Sequence, residues 1–144
     1  ETIAKLLYIF ERFWQEILRF SRRTESQINH WAARYGYKDR GEEILKEAKH
    51  GANGRYACIN LTNTDTIEFR VFRGTLKYNT VIATLQFVAN LCRVAISLPE
   101  YRIQEFSWPA LIEALTQDNC PELVQYLKER NLYVNEPVTA EREV

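Results

Sequence analysis

A chain of 144 residues, 46% of them hydrophobic, is long enough to bury a single core without disulfide or metal staples. Nineteen Lys and Arg balance nineteen Asp and Glu, so no overall field exists to hold a nucleic-acid backbone or an anionic membrane, and any anion site has to be local. Cys58, Cys92 and Cys120 are odd in number and far apart, and His30 and His50 share no ligand spacing, which reads as reduced thiols and no zinc.

The chain contains no methionine, and residue 3 already lies on a helical stripe, so it reads as a portion of something longer. From Thr2 to Phe20, Ile3, Leu6, Leu7, Phe10, Phe13, Trp14, Ile17 and Leu18 recur at three- and four-residue steps, which predicts one helix with a broad apolar face. Its aromatic residues are read as packing. Ser21-Arg22-Arg23 follows, where cations stabilise the C-terminal end of that helix. A capping box, Thr24-Glu-Ser-Gln27, opens a second helix that buries Ile28, Trp31, Ala32 and Tyr35 and ends at Gly36. Glu42 to His50 is a short helix with Ile44, Leu45 and Ala48 inward and Gly51 as its C-cap.

Arg55 to Leu61 and Thr66 to Phe72 then read as two strands of an antiparallel hairpin around Thr62-Asn63-Thr64-Asp65. In Thr66-Ile-Glu-Phe-Arg-Val-Phe-Arg-Gly74, strict alternation places Ile67, Phe69 and Val71 on one face and Glu68 and Arg70 on the other. A two- or four-residue loop pairs Leu61 with Thr66, Ile59 with Glu68, Ala57 with Arg70 and Arg55 with Phe72, so that Arg55, Glu68 and Arg70 share a surface. Cys58 falls on the apolar face with Tyr56, and only Asn60 is out of character there.

Asn79 is the N-cap of a long helix carrying Val81, Ile82, Leu85, Val88, Cys92, Val94 and Ile96, closed by Pro99 and buried on two sides, against the hairpin and the first helix. Ser107 with Pro109 and then Pro121 open two more helices, through Leu111, Ile112 and Leu115 and through Leu123, Val124 and Leu127. The expected organisation is a main unit over residues 1–98, a small helical appendage over 99–130 and a polar, frayed tail over 131–144. The fold class is α+β, mostly helical, with one hairpin over about 55–61 and 66–72 packed on long helices. Neither a basic-then-apolar leader nor an uninterrupted apolar run of 18 residues occurs, which reads as a cytoplasmic protein with no membrane partner.

Glu68 and Arg70 lie about 7 Å apart at Cα and point the same way, a spacing suited to a shared Mg²⁺ and phosphate. Arg73 adds a third charge, and arginine at 55, 70 and 73 fits forked recognition of phosphate or carboxylate. The plainer reading is a surface ion pair of roughly 0 to 1 kcal/mol that needs no ligand.

Arg55-Tyr-Ala-Cys-Ile-Asn60-Leu followed by Thr66-Ile-Glu-Phe-Arg-Val-Phe-Arg-Gly-Thr-Leu76 resembles the C-terminal signature of the bacterial and phage amidoligases, and Ser21-Arg-Arg-Thr-Glu and Trp31-Ala-Ala-Arg-Tyr-Gly36 resemble the preceding segment of that family. The likeness covers residues 1–98. The family is similar to the glutamine synthetase and glutamate-cysteine ligase superfamily, which joins a carboxylate to an amine through an acyl phosphate, using ATP. The resemblance implies ATP and Mg²⁺ as cofactors, Glu68 as a metal ligand, Arg70 at phosphate or the substrate carboxylate, and Arg55 and Arg73 at the nucleotide or acyl phosphate. It also implies a curved sheet larger than one hairpin, and the family's Gly-x-Glu-x-Glu and His-x-His segments do not occur here. Missing strands would come from upstream or from a partner chain, and the isolated chain is expected to be inactive in ligation. Its partners would be a small-molecule or peptide carboxylate and an amine. The alternatives are a non-enzymatic protein-interaction module that kept the helices and hairpin, and a stand-alone anion binder using the three arginines.

Overall fold

The computed structural model describes residues 1–49, 58–63 and 65–133, without the side chain of Trp31. Arg55, Tyr56, Ala57, the Gly51 cap and residues 134–144 lie outside the described residues. The fold is α+β and mostly helical with one two-stranded antiparallel hairpin, as the periodicities predict.

The first helical stripe is divided at Phe13 into α1 (Thr2–Arg12) and α2 (Trp14–Ser21). Phe13 leaves helical geometry, although its N–H still donates to Ile9 O at 3.0 Å. Nothing in the sequence marks this break. Leu6, Leu7, Ile9, Phe10, Phe13, Trp14, Ile17 and Phe20 from the two helices form the centre of the core.

Helix α3 (Glu25–Trp31) opens with the predicted capping box, Thr24 accepting from the Gln27 N–H and the Gln27 side chain accepting from the Thr24 N–H. It ends five residues before Gly36, because the backbone beyond Ala32 is used elsewhere. Ala33 O accepts the Cys58 N–H, and the Tyr35 N–H donates to Glu11 Oε1 at 2.8 Å. Glu11, 3% exposed, also receives Arg34 Nε at 2.8 Å and Nη2 at 2.6 Å, and Arg34 stacks over the Trp14 ring. The buried carboxylate thereby fastens the 32–36 segment to α1. The Tyr35 hydroxyl then reaches Ile59 O. Helix α4 (Gly41–Lys49) buries Ile44 and packs on α1, where Gly41 lies so close that a Cβ would meet Ala4 O at 2.3 Å.

Strands β1 (Ile59–Asn60) and β2 (Glu68–Phe69) pair Ile59 with Phe69 and Asn60 with Glu68. This is one residue away from the expected register. Thr62 N and Oγ1 both donate to Asn60 Oδ1, so a side-chain turn begins at Asn60 and makes the connection odd in length. The slip gathers Ile59 and Phe69 on one face, where Phe69 meets the Phe10 ring, and leaves Cys58 and Asn60 on the face of Glu68 and Arg70. Cys58 and Asn60 are nevertheless buried.

Helix α5 (Tyr78–Ser97) starts one residue before Asn79, whose side chain donates to Glu122 O instead of capping. It packs against α1 and against two later helices, α7 (Trp108–Leu115) and α8 (Pro121–Glu129), through Ala83, Phe87, Leu91 and Val94. The expected packing on the first helix is present, but one face of α5 stays uncovered, with Leu85 62% and Ile96 70% exposed. By length and by a mean hydropathy of 1.5, α5 is apolar enough to cross a bilayer, which the absence of an uninterrupted apolar run concealed. A short α6 (Glu100–Gln104) precedes α7 and was not expected. One apolar cluster runs through residues on both sides of position 98, joining Phe20 and Phe87 to Leu111, Leu123, Tyr126 and Leu132.

Candidate anion-binding site

Glu68 and Arg70 do point the same way from β2, but they meet. Arg70 Nη1 donates to Glu68 Oε1 at 2.6 Å, with the side chains 28% and 44% exposed respectively. The pair expected to share a cation and a phosphate is thus a mutual ion pair, worth at most about 1 kcal/mol at this exposure. Arg55, expected on the same surface, is outside the described residues. No group of three His, Cys, Asp or Glu suited to a metal occurs among the described residues.

Arg73 does find company. Its N–H donates to Ser21 O at 3.0 Å, and its carbonyl accepts Arg22 Nη2. Arg23 runs along the same segment, with Nε donating to Val71 O at 2.9 Å and Nη2 within 3.4 Å of Arg70 O and Phe72 O. Two guanidinium groups from the end of α2 therefore occupy the carbonyls of residues 70–73. Arg22 can do this because it ends α2 in the left-handed conformation, φ 63°. The reading of Ser21-Arg22-Arg23 as mere helix-end cations is incomplete.

These side chains border an open pocket of about 760 Å³ lined by Arg19, Arg22, Arg23, Arg73 and Arg130, with Glu16 as its one carboxylate and Trp108 and Leu132 among its apolar walls. Arg130 is fixed by two hydrogen bonds to Arg19 O, at 2.8 and 3.2 Å, and Trp108 Nε1 donates to Leu132 O. Burial, followed by the charges of Arg70, Arg73 and Arg22, lowers the Arg23 guanidinium below its ordinary range. Arg22 Nε is buried and finds no acceptor among the described residues. Like charges gathered in one pocket repel one another, so a multiply charged anion relieves several repulsions at once. An arginine wall with donors to spare recognises phosphate or carboxylate by forked hydrogen bonds.

Two members of this site, Arg19 and Arg130, escaped the sequence reading. Arg19 sits on a helix taken as packing, and Arg130 lies beyond the recognised stretch. Neither has a local signal, since only the tertiary fold brings residues 19, 73 and 130 to one pocket. No family model, curated protein or solved structure matches the chain.

Proposed function

We propose that this chain is the C-terminal portion of an ATP-dependent carboxylate–amine ligase, forming an amide or isopeptide bond, with the arginine pocket as its phosphate-binding wall. One observation carries the reading: two of the stretches that resemble the amidoligases, Ser21–Glu25 and Thr66–Leu76, touch through Arg22, Arg23 and the 70–73 backbone, and Arg22, Arg23 and Arg73 line one pocket. ATP supplies the phosphoryl group that activates the carboxylate as an acyl phosphate; the amine then attacks that carbonyl carbon, the C–O bond to phosphate breaks, and the amine loses its proton. Arg73 and Arg22 offer donors to the phosphoryl oxygens, Arg22 being held by its bond to Arg73 O, and Arg70, paired with Glu68, is the neighbouring charge. Glu68 would offer one carboxylate oxygen to Mg²⁺, the rest of the shell being left to water and substrate. The three free thiols fit a reducing, cytoplasmic setting.

A second reading, an interaction module, is favoured by one observation. Tyr78, Val81, Leu85 and Ile96 leave an apolar stripe uncovered on α5.

The test is Mg²⁺-dependent ATP consumption by the natural protein in the presence of carboxylate and amine. Because the Glu68–Arg70 pair contributes so little to stability, Glu68→Gln and Arg70→Lys should keep their melting temperatures within a few degrees and lose at least a hundredfold in turnover. Full activity in both variants would remove the ligase assignment.

A further inference from the structure

We propose that Arg130, at the end of α8, is a specificity-determining residue that makes the arginine pocket select an oligophosphate, two or more linked phosphoryl groups, over a single phosphate or carboxylate. The inference rests on the phosphate-binding reading of the same pocket, and it adds a residue from the stretch beyond position 98, which the resemblance does not cover.

Five arginines and one glutamate line the pocket. A monoanion would leave most of that charge uncompensated, whereas a chain of phosphoryl groups spreads several negative charges over the same span. The arginines also fall into two anchored groups. Arg22 and Arg23 are tied to the carbonyls of residues 70–73, beside Arg73. Arg130 is tied instead to Arg19 O. A guanidinium anchored through some of its five N–H groups presents the rest without losing rotamer freedom on binding, so both groups are preorganised. At about 760 Å³ the pocket has the size of a small-molecule site.

Titration calorimetry with inorganic tripolyphosphate and with orthophosphate tests this on the whole chain. The wild type should bind tripolyphosphate at least tenfold more tightly than orthophosphate. Arg130→Gln should weaken tripolyphosphate far more than orthophosphate and cut that preference below threefold, while Arg73→Gln should weaken both anions by a similar factor. Because Arg130 also holds Arg19 O, Arg130→Lys serves as the second variant; it keeps the charge, loses the fork and should retain part of the preference. If Arg130→Gln and Arg130→Lys bind tripolyphosphate as the wild type does while Arg73→Gln loses both anions, the pocket is a phosphate site and the role of Arg130 is overturned. If the wild type binds neither anion, the phosphate reading falls with it.

Discussion

Cys58 and Tyr35 face the same small region beside the Glu11 carboxylate, and both hold their protons more tightly than usual. Burial, with the Glu11 charge next, pushes the Cys58 thiol from 9.0 to about 12. Burial, then the charges of Cys58 and Glu11, pushes the Tyr35 hydroxyl from 10.0 to about 12. Each group therefore binds its proton better folded than unfolded, so its stabilisation is whole below about pH 9 and is lost as pH rises toward 12. The urea midpoint should accordingly stay level to about pH 8.5 and fall between pH 9 and 12, and Cys58→Ala should make that fall shallower. A midpoint that stays flat to pH 12, or a fall that Cys58→Ala leaves untouched, would contradict the buried-thiol account. Cys58 is fully buried, with its thiol held protonated by that burial, so it packs as a small hydrophobe. What the sequence could not convey at this scale is the partner. Glu11 stands on α1 with nothing local to signal that it would accept from Arg34 and Tyr35, more than twenty residues on.

Elements with caps and long periods were legible, and elements defined by distant backbone partners were not. Thr24 announced the start of α3 through its own side chain, and Ser107 that of α7 by accepting from the Ala110 N–H. The end of α3 was invisible because β1 and Glu11, not Gly36, draw the backbone away. The hairpin register failed for a similar reason. Alternation in residues 66–72 gave the two faces of β2 correctly, but the pairing is set by the Asn60 side chain at the turn, whose polar character had looked like an anomaly on an apolar face. The contact of α4 with α1 gives a sharp test. Gly41→Ala puts a methyl group against the Ala4 carbonyl, where backbone cannot yield cheaply, and should cost about 1–3 kcal/mol in urea unfolding, against about 1 kcal/mol for Thr24→Ala at the α3 cap. A neutral Gly41→Ala would mean that α4 docks less closely than described.

Across the whole molecule, the candidate site exists because an aromatic pile sets its walls. Phe20 stacks on Phe87 with centroids 4.2 Å apart and meets the Tyr126 and Phe72 rings edge-on at 4.7 and 5.8 Å. Tyr126 donates its hydroxyl proton to Phe20 O at 2.6 Å. These contacts tie together α2, the 70–73 segment and α8, the three stretches that carry Arg22, Arg73 and Arg130, so the arginines are held by core packing rather than by flexible loops. Composition and motif could name Arg70 and Arg73 as candidates, but a chain of zero net charge gave no hint that five arginines would converge, since the balancing acids are spread elsewhere. The central claim, that this convergence binds phosphate of a nucleotide, is tested most directly by following arginine Nε–Hε resonances of the labelled protein during titration with ADP. The Arg22 and Arg73 signals should move together and saturate, while Arg34, held by Glu11, stays in place. Saturation elsewhere, or Arg22 and Arg73 unmoved at millimolar ADP, would contradict the account.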